Sequence, residues 1–163
     1  MSPKPDDWKD EAYQAYVAKW RAHEAAESER RRQEGKIAIW LERGPDDSET
    51  FTKEHQLALH TVVDVLRDQG VNVEAPFTTL DSADAVGGYT GQLIVPLIQA
   101  ASPFLTAAVV AWVKGRSGRK IRAEFYPGGQ IKSIEAQTEE QVLSIAEAFD
   151  HEARTKSSKA EPK

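Results

Sequence analysis

An uncharged and mostly apolar run from Leu93 to Val113 constrains the fold more than any other feature of this sequence. Water solvates such a run poorly, so it is either buried within the protein or inserted into a lipid bilayer. A membrane-spanning helix needs about 20 consecutive apolar residues, and this run is long enough. Tyr89 and Trp112 lie near its ends, where aromatic residues anchor spans, and basic residues follow it, as in a cytoplasmic flank.

The composition of the run nevertheless favours burial within the domain. Pro96 and Pro103 divide it, and Gln99, Ser102 and Thr106 give it a polar edge. Predicted strands on both sides belong to one small sheet, and a span would divide that sheet across the bilayer. We therefore predict a kinked helix or two short helices, the second capped by Ser102 with Pro103 at its first position. A membrane-anchored protein with a span at 93–113 is the alternative.

Composition excludes several kinds of site and of partner. The chain of 163 residues contains no cysteine, which excludes disulfides, thiolate metal sites and cysteine nucleophiles. Its formal net charge of -5 makes nucleic acid an unexpected partner. The polar, acidic segment 1–10 lacks the pattern of an export signal. We therefore expect a cytoplasmic protein, with membrane association as the alternative.

Hydrophobic periodicity predicts an α+β fold, with a small sheet of about four strands covered by helices and preceded by a long N-terminal helix. The sheet includes a C-terminal β-hairpin. The predicted organisation has three parts, namely a helix over 1–35, an α+β domain over 36–150 and a disordered tail over 151–163. The predicted helices are 8–34, 53–69 and one beginning after the capping box Thr138–Gln141. The predicted strands are 36–41, 71–75, 119–126 and 130–136, with a loop at 77–88.

Four aromatic residues recur at helical spacing in the first half of the N-terminal helix. They are Trp8, Tyr13, Tyr16 and Trp20. Tyrosine and tryptophan are enriched in the buried centres of protein interfaces. The stripe therefore predicts either a binding surface for another protein, or for a second copy of the chain, or an apolar face that covers the domain.

No group of polar residues amounts to a convincing catalytic, cofactor or metal site. His60 and Asp64 are four residues apart and can pair on a helix, which leaves a small hydrolase as an alternative. Asp46, Asp47 and Glu49 lack the spacing of a calcium loop and are typical of a turn. The glycine-rich stretch 87–91 lacks the lysine and the spacing of a phosphate loop. We therefore predict no catalytic residue, no cofactor, no metal and no enzyme activity.

The basic residues after the apolar run form the strongest local charge. Lys114, Arg116, Arg119 and Lys120 are candidates for contact with an anionic partner. Such a cluster is also typical of a helix C-terminus and a solvated turn, where cations complement the helix dipole. The second interpretation is favoured.

The order of motifs over about residues 36–150 resembles a known domain. The pair Gly87-Gly88 leads to the alanine-rich stretch Leu105–Val113 and then to basic residues, a hairpin with the turn 127–129, and the helix 138–149. This order resembles the effector-associated constant component domain of bacterial conflict systems. The resemblance implies a non-enzymatic component encoded beside proteases and other effectors. The long N-terminal helix departs from the short form of that family.

These observations together predict a non-catalytic adaptor or regulatory component of a bacterial intracellular assembly that acts through protein–protein contacts, with conflict or defence as the context that the resemblance implies. The aromatic stripe supplies the apolar contact area, and the charged half of the same helix contributes solubility and register. The alternatives are the membrane-anchored protein and the small hydrolase described above.

Overall fold

The computed structural model describes residues 7–78, 88–125 and 132–160, and these form two compact units, one ending at Glu34 and one beginning at Gly35. The first unit contains the helix α1, Asp7–Gln33. The elements of the second unit are β1 (Lys36–Glu42), α2 (Lys53–Asp68), β2 (Phe77–Thr78), β3 (Gly88–Tyr89), β4 (Gln92–Pro96), α3 (Leu97–Ala100), α4 (Pro103–Gly115), β5 (Lys120–Phe125), β6 (Lys132–Ala136) and α5 (Glu139–Ala160). The predicted turn at 127–129, Gly87 and the side chain of Trp8 lie outside the described residues.

Helix α1 is the long N-terminal helix that its composition predicts. Arginine and glutamate side chains one turn apart pair along its second half, with Arg30 Nη2 lying 2.7 Å from Glu27 Oε2 and Arg32 pairing with Glu29. Such pairs each stabilise a helix by about 0.2–0.5 kcal/mol. Local charge pairing therefore supports a helical segment that has no large apolar side chain.

The second unit is built on a four-stranded antiparallel sheet in the order β4-β1-β5-β6. Strand β1 is central, and its Ile39 lies opposite Leu93 on one neighbour and Ala123 on the other. The C-terminal hairpin pairs Ala123 with Ile134. The α+β class, the number of strands in the sheet and the C-terminal hairpin are as the sequence predicts.

The fourth strand is not the segment that the sequence predicts. Residues 71–75 make only one isolated bridge to the sheet, between Glu74 and Ile94. The first part of the apolar run, predicted to be helical, forms the edge strand β4 instead. Leu93 and Val95 point into the core on alternate positions, and Pro96 ends the strand. Proline suits the end of an edge strand because it lacks a backbone donor.

The apolar run supplies much of the core of the second unit, as predicted. Its buried members pack against the inner face of β1 and β5 and against α2 and α5. They are Leu93, Val95, Leu97, Ala100, Leu105, Ala108, Val109, Trp112 and Val113. The described residues contain no helix with the length and apolar character that a bilayer crossing demands.

Side-chain hydrogen bonds cap the N-termini of α4 and α5. Ser102 Oγ accepts a hydrogen bond from Leu105 N at 3.2 Å, with Pro103 at the first helical position, as predicted. Thr138 Oγ1 accepts from Gln141 N at 3.2 Å, while Gln141 Oε1 accepts from Gln137 N at 2.7 Å. The glutamine thus binds the amide one residue before the one that a standard capping box uses.

Helix α5 continues to Ala160, so the prediction of a disordered tail is wrong over 151–160. Ala153 packs against the core, and Arg154 Nε lies 3.0 Å from Asp150 Oδ2 one turn earlier. One further apolar contact and a local ion pair extend a helix that the core already nucleates, which removes the cost of a new nucleus. Residues 161–163 lie outside the described part of the chain.

Candidate functional site

Each of the four basic residues proposed to contact an anion forms an ion pair within the second unit. Lys114 Nζ lies 3.3 Å from Glu139 Oε2, and Lys120 Nζ lies 3.4 Å from both Glu42 Oε2 and Glu135 Oε1. Glu42 is the main reason that the pKa of Lys120 is raised. Arg116 pairs with Glu54, and Arg119 pairs with Asp47. The domain's own carboxylates therefore match this positive charge, in agreement with a structural role.

The pair of Asp47 and Arg119 is the buried polar centre of the domain. Arg119 donates from Nε to Asp47 Oδ2 at 2.8 Å and from Nη2 to Oδ1 at 2.9 Å. Gly44 N donates to the same carboxylate at 2.8 Å. The hydrogen bonds from Arg119 outweigh the effect of burial and hold the pKa of Asp47 below its ordinary value. A bidentate charged pair of this kind fixes the loop after β1 against the start of β5.

Helix α4 places Trp112 beneath this ion pair. The guanidinium carbon of Arg119 lies 4.0 Å from the centroid of the indole ring, and Trp112 Nε1 donates to Glu42 O at 3.3 Å. A cation over an indole face is attracted by the ring quadrupole. Arg119 is therefore held from two sides, and its burial leaves little of the side chain for an external anion.

His55 lies beside the same tryptophan and is the most enclosed histidine among the described residues. Its ring meets that of Trp112 edge to face with centroids 5.6 Å apart, and it is 3% exposed. Burial lowers the pKa of His55 and outweighs the nearby Asp47 carboxylate, which acts in the opposite direction. Within the described part of the chain, no group accepts from or donates to Nδ1. The geometry favours a neutral imidazole in the folded domain.

The other candidate groups for chemistry are separated or already engaged. His60 packs on Tyr89, with ring centroids 4.5 Å apart, and no hydrogen bond joins it to Asp64 among the described residues. The described residues also contain no group of three histidine, aspartate or glutamate side chains placed to hold a metal ion. No catalytic arrangement of described residues supports the hydrolase alternative.

Gln56 is a buried polar residue that the sequence did not single out. Its side chain binds the backbone of Tyr89 in the glycine-rich stretch. It accepts from Tyr89 N at 2.8 Å through Oε1 and donates to Tyr89 O at 2.9 Å through Nε2. A Cβ at Gly88 would overlap the amide of Gln56, so a side chain there would displace the glutamine from these hydrogen bonds. The glutamine thus takes the Tyr89 amide that an anion-binding loop would offer.

The aromatic stripe on α1 is exposed. Tyr13 is 62% exposed, Tyr16 66% and Trp20 55%. At 3.6 residues per turn, positions 13, 16 and 20 fall within one narrow face of the helix. Lys19 and Arg21 lie on either side of Trp20, because successive residues are about 100° apart. Positive charge therefore borders the stripe at Trp20, and Glu24 follows one turn later.

A second apolar surface lies between α4 and α5, and sequence reasoning missed it. An open groove of about 890 Å³ has a floor of small or aliphatic side chains from both helices. They are Ala107, Val110, Ala111, Leu143 and Ala146. The signal was present in the sequence, since Thr106 is the only polar residue between Pro103 and Val113. A helix that is apolar on every side is normally covered on every side.

The rim of this α4/α5 groove is acidic at one end. Lys114 and Glu139 pair at the end where α4 stops and α5 begins. Glu147 and Asp150 line the groove further along α5, towards Pro103. Arg154 neutralises Asp150, whereas no cation of the described residues lies within ion-pair distance of Glu147. The groove thus offers an apolar floor with unbalanced negative charge near one end.

The comparisons with known proteins give no family for the chain. No protein-family model, no curated protein and no solved structure matches it. The resemblance to the effector-associated constant component domain therefore stays a prediction.

Proposed function

We propose that this chain is a non-catalytic adaptor or regulatory component of a bacterial cytoplasmic assembly, acting through protein–protein contacts made by the aromatic stripe of α1. The assembly is one of the conflict or defence kind, which is the context that the resemblance implies. The chain's contribution is to hold a partner, and it performs no chemistry of its own.

The single observation that carries this proposal is the exposure of Tyr13, Tyr16 and Trp20 on one face of α1. Each presents large apolar area together with a polar tip, the combination found in the energetic centres of interfaces. The charge pairs of the second half of α1 lie beyond Trp20 and support the helix there. The stripe is therefore preformed, and a partner that binds it does not have to order it first.

The polar residues of the second unit support a non-catalytic role. The carboxylate of Asp47 accepts three hydrogen bonds from Arg119 and Gly44. Gln56 is fully engaged by the backbone of β3 and of Thr50. Groups that hold loops together in this way are already saturated and have little capacity left for a substrate.

Removal of the stripe should abolish association while the fold survives. In the full chain, Tyr13, Tyr16 and Trp20 are replaced together by alanine, a strong helix former that preserves α1. Tagged wild type and variant are purified from the producing bacterium, and the bound proteins and the molar mass in solution are quantified. We expect binding to fall by roughly tenfold or more, the effect of removing an interface centre.

The matched control replaces Leu57 and Ile98, which are 69% and 79% exposed on the second unit, by alanine. These changes remove exposed apolar area elsewhere and should leave association unchanged. Circular dichroism checks that every variant keeps its helix content. If the triple variant associates as well as wild type, the stripe is not the binding surface and the proposal is wrong.

A further inference from the structure

We propose that the α4/α5 groove is the docking site for the α1 aromatic stripe of a second copy of this chain. The inference rests on the proposed function, because it names the partner of the same stripe. It accounts for two exposed apolar surfaces with one contact between two molecules.

The shapes of the two surfaces are complementary. The groove floor is made of alanines 107, 111 and 146 with Val110 and Leu143 at their side, so a helix can approach its backbone closely. The stripe presents one tryptophan and two tyrosines, which are large side chains on a narrow face. Large side chains packing over small ones give the dense contact that interface centres require.

The lengths of the two surfaces also agree. From Tyr13 to Trp20 the stripe covers about 10 Å of helix axis at 1.5 Å per residue. From Pro103 to Lys114 the groove wall formed by α4 covers about 16 Å on the same basis. The whole stripe therefore fits within the groove, with space for the side chains that border it.

Charge complementarity supports this occupant and its direction. Lys19 and Arg21 border Trp20 on either side, and Glu24 follows one turn later. In the groove, Glu147 lies towards Pro103 with no described cation in ion-pair distance, whereas Lys114 at the opposite end already pairs with Glu139. Lys19 and Arg21 meet Glu147 if the Trp20 end of the stripe lies towards Pro103, which makes the docked helix antiparallel to α4. Such complementarity fixes the register of an interface.

The contact joins two different surfaces, so each copy offers one stripe and one groove. If each of two copies places its stripe in the groove of the other, a symmetric dimer with two such contacts forms. If each stripe instead binds the groove of a further copy, longer assemblies form. Molar mass as a function of concentration, by light scattering or sedimentation, measures this association directly in the full chain.

Two full-chain variants each disable one side of the contact. Trp20→Glu places a charge in the stripe, and Ala111→Glu places one on the groove floor, where Ala111 is exposed and needs no repacking. Each variant alone should associate at least tenfold more weakly than wild type. Leu57→Glu is the control, because it puts the same charge on an exposed apolar site of α2 and should change nothing.

Mixing the two variants is the decisive experiment. The Ala111→Glu chain keeps an intact stripe and the Trp20→Glu chain keeps an intact groove, so their mixture should form heteromers that neither forms alone. Contact between two stripes, or between two grooves, predicts no such rescue. Leu143→Glu, on the other groove wall, repeats the test should Ala111→Glu fold poorly.

The charges give a second, independent readout. Glu147→Lys should weaken association about twofold to fivefold, as expected for a pair at an interface rim. Combining it with Lys19→Glu and Arg21→Glu should recover part of that loss.

The outcomes separate this inference from the proposed function. Wild type that stays monomeric at every concentration overturns the inference, as does association lost with Trp20→Glu but kept with Ala111→Glu and Leu143→Glu. In both cases the stripe remains available to a different protein, and the co-purification experiment decides that question. Failure of rescue on mixing also overturns the inference, whereas rescue together with an unaffected Leu57→Glu supports it.

Discussion

The two sides of helix α4 are both apolar, and only one of them is used by the fold. On the inner side, Trp112 is 2% exposed and carries Arg119 over its ring. On the outer side, Ala111 is exposed in the groove, although it is the immediate neighbour of Trp112 in sequence. Folding explains why the inner side is apolar, whereas no described residue of the second unit covers Ala111 on the outer side.

Helix α2 shows the ordinary arrangement for a helix on the same sheet. Leu59, Val63 and Leu66 face the core, and Asp64 and Asp68 face solvent, while Leu57 and Val65 are also exposed. Single exposed apolar side chains are normal on a surface helix, whereas α4 lines an apolar groove over several turns. This contrast motivates the proposal that the outer side of α4 is a surface for association. Stability should then depend on the inner side of α4, and association on the outer side.

The largest effect on stability is expected from Arg119, which lies above the inner side of α4. Arg119→Ala leaves the Asp47 carboxylate buried with its main partner removed. Breaking a buried ion pair in this way costs about 3–5 kcal/mol. Urea denaturation monitored by tryptophan fluorescence measures the loss in free energy of unfolding.

Arg116→Ala is the matched control, since Arg116 also contacts Asp47, at 3.5 Å, but is 42% exposed. Exposed pairs contribute about 0–1 kcal/mol, so the control should be almost neutral. Equal losses for the two arginines would contradict the interpretation that burial over Trp112 makes Arg119 structural. If Arg119→Ala lowers the free energy of unfolding only slightly, Arg119 is again a candidate for contact with an anion.

An intermediate loss of stability is expected at low pH, because His55 packs against Trp112 on the inner side of α4. Its pKa in the folded domain is lowered from the ordinary value of 6.5. The unfolded chain therefore binds the proton more readily, so stability is full above about pH 6.5 and falls as the pH drops below it. One proton contributes a slope of at most about 1.4 kcal/mol per pH unit. Urea titrations between pH 7.5 and 5 measure this slope.

His55→Gln removes the titrating group and should flatten the slope in that range. The lowered pKa of Asp47 acts in the same direction but at more acidic pH, near and below its ordinary value of 3.8. The two contributions are therefore separated in pH. An unchanged slope in the His55→Gln variant would show that another group controls stability between pH 7.5 and 5.

Local sequence signals predicted the elements correctly where a single residue or a short pattern determines how an element begins. Ser102 and Pro103 begin a helix, Thr52 caps another, and Lys36–Leu41 alternates as a strand. A short apolar run has no period of its own, so residues 92–96 could not be distinguished from helix before β1 was known to lie beside them. Pairing with β1 is a long-range effect that overrides local preference.

The same limit applies to the candidate site. The common face of Tyr13, Tyr16 and Trp20 followed from helical spacing within one element, whereas its exposure did not. The α4/α5 groove requires two elements that are brought together only by the fold. The pairing of Arg119 with Asp47, which are 72 residues apart, likewise has no local signal. The basic cluster therefore resembled an anion site in sequence and proved to be internally neutralised.

The smallest effect on stability is expected on the outer side of α4. Ala111→Glu changes an exposed helical position to another good helix former, so the free energy of unfolding of the isolated chain should stay within about 0.5 kcal/mol of wild type. Leu57→Glu should behave alike.

Association stabilises the folded chain in proportion to the occupancy of the interface, so the melting temperature of wild type, and of Leu57→Glu, should rise with protein concentration. The melting temperature of Ala111→Glu should not. Calorimetry over a hundredfold range of concentration measures this difference, and parallel curves for all three chains would mean that the outer side of α4 has no role in association.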